Sequence, residues 1–275
     1  MSLYKIAYPD IPNMGDLINK DMLEEVFSIS VKQADLKNCN LIAIGSALDQ
    51  LFKSSDFKTR MKQKAITALN NNVHIWCSGF IRENLRGTSD LIYRNIHVHS
   101  LRGELTRKRM EEYTGNKYDV PLGDGGLLAQ RWIGCFPEKK YSVGIIPHFK
   151  EQENPNVKKL LEAYENTTLI NLRDKPKDVV KKIGECEVII SSSLHGLIVA
   201  DSFHIPNIHM TLDNKMFGDG YKYRDYYSAF GLSHTPFDCA GGEIPSLSMI
   251  KNSYPVSADA VEEKKDALFN AFPKL

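Results

Sequence analysis

Cysteine is scarce in this chain: five in 275 residues, an odd number, with no C-x-x-C pair among Cys39, Cys77, Cys135, Cys186 and Cys239. Such usage supports neither a disulfide framework nor a zinc site, and it suits a reducing compartment. Cys39, Cys77 and Cys186 lie in or beside strand-like runs and are expected as small core residues. No Asp-x-Asp occurs anywhere, so the carboxylate pair common in metal-dependent sugar-nucleotide transferases is missing. The loop after the first strand holds one glycine, Gly15, which removes the G-x-G-x-x-G fingerprint and disfavours a nicotinamide dehydrogenase. Apolar runs stop short of the roughly 18 residues that span a bilayer, and no basic segment leads into an apolar stretch at the amino end. Export is therefore not expected. The net charge of +1 offers no general attraction for nucleic acid or an anionic membrane, so any anion must be bound by a local constellation.

What the chain does have is the balance of a soluble globular enzyme, 42% hydrophobic and 25% charged, in a length that suits two domains of ordinary size or one large one. Short β-branched runs alternate with helical segments from end to end, the pattern of parallel sheets with crossover helices. Strands are predicted at Tyr4 to Tyr8, Leu41 to Ile44, Val73 to Cys77 and Ile96 to Ser100, with helices at Gly15 to Phe27, Lys58 to Asn70 and Arg102 to Tyr113. After a Gly- and Pro-bearing loop, Gly123 to Pro137, the pattern starts again. Strands are expected at Tyr141 to Ile146, Thr168 to Leu172, Val188 to Ile190 and Asn207 to Thr211, and helices at Val157 to Asn166, Lys177 to Cys186 and Leu194 to Phe203. The expected fold class is α/β, with Rossmann-like domains over 1–138 and 139–255 and a cleft between them. A helix in 256–275, capped by Ser257, should return to the body.

The densest signal is Glu187 to Met210, a β-branched run, the serines Ser191 to Ser193, and a Leu-His-Gly opening an almost wholly apolar helix. His195 thus falls in a first helical turn beyond the carboxyl end of a parallel strand, where open α/β sheets bind ligands. The helix dipole and first-turn N–H groups favour an anion there, and Gly196 would let it come close. His195 then either serves proton transfer or merely caps and packs. Asp16, in Asn13-Met-Gly15-Asp16, either caps a helix or acts on a hydroxyl substrate. Arg102 stands at a helix start, where the dipole opposes a cation; it grips an incoming anion, stays solvated, or pairs with Glu104 or Asp124. Gly123 and Asp124 follow a strand-like Asp119 to Leu122 and should line the cleft. Tyr221 to Tyr227 mixes cations with rings, suiting sugar or phosphate contact or equally a helix with a wet charged face. His97 and His99 share one strand face without a third metal ligand, which favours packing over metal binding.

Taken in order, Asn13-x-Gly15-Asp16, Ser100-x-Arg102-Gly103 with Thr106, Gly123-Asp124, Leu194-His-Gly-Leu-Ile-Val-Ala-Asp201 ending in Ile205-Pro206, and Lys222-Tyr-x-Asp225 resemble the polysaccharide pyruvyl transferase family over residues 4 to about 232. The apolar helix is most similar to that of the exopolysaccharide branch, as in succinoglycan decoration. The resemblance implies two Rossmann-like domains arranged as in GT-B glycosyltransferases, and transfer of a pyruvyl group from phosphoenolpyruvate to sugar hydroxyls as a ketal. Phosphoenolpyruvate is then a co-substrate, with no cofactor or metal expected, and the other partner is a sugar acceptor, lipid-linked or simple. The cytoplasm is the expected location, at the inner membrane face if the acceptor is lipid-linked. His195, Arg102 and Asp16 are the catalytic candidates, and Ser193, Leu194, Gly196 and Lys222 the donor-binding ones. Asn13, Gly15, Gly123 and Asp124 are assigned to the acceptor side or cleft. Two positions depart from relatives: Ser193 stands where several carry arginine, and Gly125 where they carry proline. A nucleotide-sugar glycosyltransferase and an inactive sugar-binding relative are the alternatives.

Overall fold

Two five-stranded sheets, parallel at every pairing within them, organise the computed structural model. It describes residues 3–9, 11–53, 72–83, 90–91, 94–213 and 219–275. In the first sheet, β1 (Leu3–Ala7), β2 (Ser30–Ala34), β3 (Leu41–Ile42), β5 (Asn72–Ile75) and β7 (Asn95–Val98) lie in the order β2-β1-β3-β5-β7. A short antiparallel pair, β4 (Phe52–Lys53) with β6 (Asp90–Leu91), stands apart. The second sheet takes β8 (Tyr141–Ile146), β9 (Thr167–Leu169), β10 (Cys186–Ser191), β11 (Asn207–Thr211) and β12 (Phe237–Asp238) in the order β12-β11-β10-β8-β9. With β4 and β6 set aside, both sheets run second-first-third-fourth-fifth. Each therefore reverses direction once, between β1 and β3 and between β8 and β10, and ligands of doubly wound sheets sit at such reversals. The chain is α/β with two Rossmann-like domains, as its sequence predicts.

The described helices are α1 (Met14–Phe27), α2 (Glu104–Thr114), α3 (Ala129–Ile133), α4 (Pro155–Glu162), α5 (Pro176–Gly184), α6 (Leu194–Ser202), α7 (Tyr221–Ser228), α8 (Leu247–Ser253) and α9 (Ala258–Asn270). Local chemistry sets their ends. Prolines open α4 and α5, where a missing N–H costs nothing. The Ser257 side chain accepts from the Ala260 N–H at the start of α9. Val188, Ile189 and Ile190 are fully buried in β10, which is why that strand reads as an unbroken apolar run.

One hydrophobic core joins the halves, running from Ile6, Met14 and Ile18 through Leu127 to Leu197 and Ile198. A main-chain bond from Met14 N to Leu172 O, 2.7 Å, crosses directly between them. Helix α9 lies against the first sheet's side, where Trp76 Nε1 donates to Leu268 O at 2.9 Å and Phe27 stacks on Phe272 at 3.8 Å.

Several features differ from the sequence reading, among them strand β12 and helices α3 and α8, which it did not predict. Strand β2 has no apolar run, because it is a sheet edge with Val31 as its one buried side chain. Asp119 to Leu122 forms no strand and contributes a single bridge, Leu122 to Leu101. His97 and His99 gain a third histidine, His74 on β5, whose Nδ1 lies 2.8 Å from His99 Nε2 while its ring stacks on both neighbours. Rings bonded to one another and stacked do not converge on a common point, so cross-strand packing is what this face displays. The helix expected at Lys58 to Asn70 lies outside the described residues.

Candidate active site

At the direction reversals, the carboxyl ends of β1, β3, β8 and β10 face one another across a cavity of about 230 Å³. Asn13 and Asp16 reach it from the β1–α1 turn, Ser46 from beyond β3, His148 from beyond β8, and Ser193, Leu194 and His195 from the start of α6. Lys222 enters from α7 and also lines an adjoining cavity of about 440 Å³, which continues past Glu151 and Ser192 to His209.

His195 keeps some surface in this cleft, yet its Nε2 is shut away from solvent and has no hydrogen-bond partner among the described residues. An unsatisfied buried nitrogen costs about 1–3 kcal/mol, so a ligand atom arriving there would recover what folding gave up. Burial, and then the nearby Lys222 and Arg102 cations, push the imidazole down to about 3. The ring is neutral at physiological pH, one nitrogen donating and the other accepting. Gly15 makes room for it: a Cβ on Gly15 would stand 2.1 Å from His195 Nδ1.

Asp16 receives a 2.8 Å bond from Asn13 Nδ2. Burial raises its carboxyl above the ordinary range, with the Asn13 bond and Lys222 opposing. Lys222 is pushed down to about 8, first by burial and then by Arg102, while Glu151 and Asp16 hold it up. A cation this close to neutrality, flanked by two carboxylates and an unpartnered imidazole nitrogen, suits a site that takes up an anion.

The structure places Arg102 differently from the expected open grip. It is fully buried, with Nε donating to Asp225 Oδ2 at 2.8 Å, Nη1 to Ser46 Oγ at 2.5 Å and Nη2 to Phe80 O. The same Asp225 carboxylate accepts from Thr106 N and Thr106 Oγ1, both at 2.7 Å. The conflict between Arg102 and the dipole of α2 is thus relieved by an anion the chain itself supplies. Ser100-x-Arg-Gly-x-x-Thr106 and Lys222-Tyr-x-Asp225 are two sides of one buried joint. Gly103 permits it, since a Cβ there would meet Asp225 O at 1.7 Å. Arg102 therefore sits one residue behind the cavity, with Ser46 between.

Other expected residues also serve from behind. Asp124 caps the turn Gly125–Leu128, Oδ1 accepting from Gly126 N at 2.9 Å, and burial raises it to about 6. Neither it nor Gly123, which lies under Leu268, lines the two cavities. Their assignment to the cleft is corrected: apolar packing from α9 and α6 covers that turn. The missing side chain of Gly196 makes room for strand β10, since a Cβ there would meet Ser191 Oγ at 2.5 Å. Asp201 is a structural anchor, accepting from Asn207 Nδ2 and Tyr254 OH at 2.6 Å and from Tyr226 OH at 2.7 Å. Helix α7 is mostly buried, so a wet charged face is not what Tyr221 to Tyr227 forms. Its Lys222 serves the cavity, Asp225 the joint and Tyr226 the Asp201 anchor.

His148, Glu151, Ser192 and His209 were missed by the motif reading. The predicted strand Tyr141 to Ile146 held the signal for the first three, because its carboxyl end borders the second sheet's reversal and receives Ser192.

Among known proteins, the polysaccharide pyruvyl transferase family model matches residues 125–214, from the Asp124-capped turn to just past β11. Uncharacterized protein L143 of Acanthamoeba polyphaga mimivirus is 30% identical over 231 residues, covering 82% of this chain and 73% of the viral protein. Succinoglycan biosynthesis protein ExoV of Rhizobium meliloti (strain 1021) is 28% identical over 164 residues, 58% of this chain and 48% of its own length. The alignment thus spans about half of the rhizobial protein. With the family model running through the strand and helix that carry His195, and with likeness to the viral relative extending over most of both chains, the chain belongs to the polysaccharide pyruvyl transferase family.

Proposed function

We propose that the protein transfers a pyruvyl group from phosphoenolpyruvate to hydroxyls of a cell-surface or extracellular polysaccharide, or its sugar precursor, forming a ketal without a metal. The observation that carries this reading is the meeting of both sheets' reversals over His195 Nε2, Lys222 and Asp16. Phosphoenolpyruvate is small and strongly anionic, and it needs a cation, N–H donors and a proton relay rather than a long nucleotide groove. Lys222 and the first-turn N–H groups of Leu194 to Gly196 would hold its anionic end, with Ser193 in the position where relatives place arginine. A neutral His195 would hydrogen-bond the phosphate. Asp16, whose raised carboxyl marks it as a better base than an exposed aspartate, would take the proton of the attacking hydroxyl. The name of the rhizobial relative supports a polysaccharide acceptor.

The direct test is incubation with phosphoenolpyruvate and a panel of simple and lipid-linked glycosides, reading phosphate release and a product heavier by one pyruvate less one water. Stabilisation by nucleotide sugars instead would favour a glycosyltransferase. Sugar binding with no phosphate release would mark an inactive relative.

Lys222→Met is expected to raise the KM for phosphoenolpyruvate by about 10- to 100-fold, the worth of one charge-assisted bond. Because Lys222 titrates at about 8, wild-type donor affinity should decline as pH rises through that value and the cation is lost. The variant should lack that step. Unchanged KM and an unchanged pH dependence in Lys222→Met would remove this residue from donor binding.

A further inference from the structure

A neutral imidazole is a weak source of the proton that the methylene carbon of phosphoenolpyruvate must receive. The proposed reaction therefore needs a second acid. Three carboxylates line the joined cavities among the described residues: Asp16, Glu151 and Asp213. Asp213 is exposed, whereas Glu151 is half-buried. Its position is built. Ser192 Oγ donates to Glu151 Oε2 at 2.5 Å while accepting from the His148 N–H at 2.8 Å, and Glu151 N donates to His148 O at 2.7 Å. The Ser192 carbonyl is itself fixed by Tyr223 OH at 2.7 Å. The carboxyl is thus carried on the carboxyl-end loop of β8 and locked to that of β10, in the cavity that Lys222 shares with His195.

Resting on the pyruvyl-transfer reading, we infer that Glu151 is the general acid that protonates the donor's methylene carbon, with Ser192 as its positioning residue. The double-bond electron pair takes the Glu151 proton to form the methyl C–H bond, leaving an oxocarbenium-like C2. The first sugar hydroxyl bonds to C2 and gives its proton to Asp16. The second hydroxyl then displaces phosphate, which departs with that hydroxyl's proton. Exchange with solvent restores Glu151 and Asp16, so one hydroxyl proton ends, in balance, on the methyl group and the other on phosphate.

The surroundings shift Glu151 toward its protonated form. Burial raises its carboxyl above the ordinary range, and Asp213 adds to this; the Ser192 bond, the His148 main chain and Lys222 oppose it. Tyr223, His209, Lys150 and the imidazole of His148, which burial and the Lys222 and Lys150 cations push down to about 4, complete the titratable groups facing the same cavity. Rising pH removes the proton, so kcat at saturating phosphoenolpyruvate should fall on the alkaline side, separately from the Lys222 effect on donor affinity.

The test measures phosphate release and deuterium incorporation into the product methyl group in heavy water, in wild type, Glu151→Gln, Glu151→Asp and Ser192→Ala. Glu151→Gln should lower kcat by about 10²- to 10⁴-fold with KM for phosphoenolpyruvate nearly unchanged, and thermal stabilisation by phosphoenolpyruvate should show that it still folds and binds. Glu151→Asp should recover part of the rate. Ser192→Ala removes a bond that favours the ionised carboxylate, so its alkaline limb should move to higher pH. Wild-type-like kcat in Glu151→Gln, or an alkaline limb unmoved in Ser192→Ala, overturns the assignment while leaving the transfer reading intact. Absence of turnover in wild type with every acceptor overturns both.

Discussion

Arg102→Ala is expected to lower folding stability by about 3–5 kcal/mol, because it leaves the Asp225 carboxylate buried and short of its counter-ion. For a chain of this size that is a fall of roughly 6–20 °C in Tm. The joint explains the size of the effect. Arg102 and Asp225 are both fully buried, and the carboxylate also holds the main chain and hydroxyl of Thr106 at the start of α2. Asp225→Asn should be nearly as costly, since the guanidinium then lacks its charge partner. Arg102→Lys should recover little, because an ammonium cannot reach Asp225, Ser46 and Phe80 in one plane. Replacing both partners with apolar side chains should recover much of the loss. Denaturant and thermal unfolding of this set decide the matter. A loss under about 1 kcal/mol in Arg102→Ala, the ordinary size for an exposed pair, would show that the joint carries little. Lost activity in an Arg102 variant is consequently no evidence of substrate contact unless the melting curve is unchanged. His195→Ala, by contrast, removes a nitrogen with no hydrogen-bond partner among the described residues, and should lose phosphate release while keeping the fold.

Gly15→Ala should reduce turnover of phosphoenolpyruvate by about 100-fold, the scale of a 1 Å misplacement at a reacting group. The added methyl would lie 2.1 Å from His195 Nδ1, well inside contact, so the ring or the start of α1 must shift. The start of α1 is tied to the opposite domain by Met14 N and Leu172 O, which leaves the imidazole as the softer partner. The overpacking should also cost about 1–3 kcal/mol of stability. The decisive comparison is a double-mutant cycle: once His195 is alanine the methyl has space, so Gly15→Ala should add almost nothing to His195→Ala in rate or in melting temperature. Additive losses would mean that Gly15 acts through something other than the imidazole.

These two residues mark where sequence reading succeeds and where it fails. His195 was legible because its setting is local: a buried strand, three serines and an apolar helix follow one another in the chain, and their geometry follows from their order. The alternation of elements likewise revealed both sheets, apart from two edge strands: β2, whose polar residues mimic a loop, and β12, which is two residues long. Arg102 was recognised as a cation in an unfavourable place, but not paired correctly, because its counter-ion lies 123 positions away and no local pattern points to it. Gly196 was read as room for a ligand and Gly123 as lining of the cleft, whereas each makes room for the protein's own packing; a glycine in sequence does not say what approaches it. Glu151 lacked any motif, and became visible only when strand order brought the ends of β8 and β10 together.

The contacts of α9 bear on how the chain is made. Tyr4, Phe27 and Trp76 belong to the first Rossmann-like domain, yet Pro273 O, Phe272 and Leu268 O complete their surroundings. Translation delivers those closing residues some two hundred positions after the side chains they cover. A nascent chain arrested before them would expose an unfinished aromatic flank, so the two halves, though built on one plan, must mature together rather than in succession.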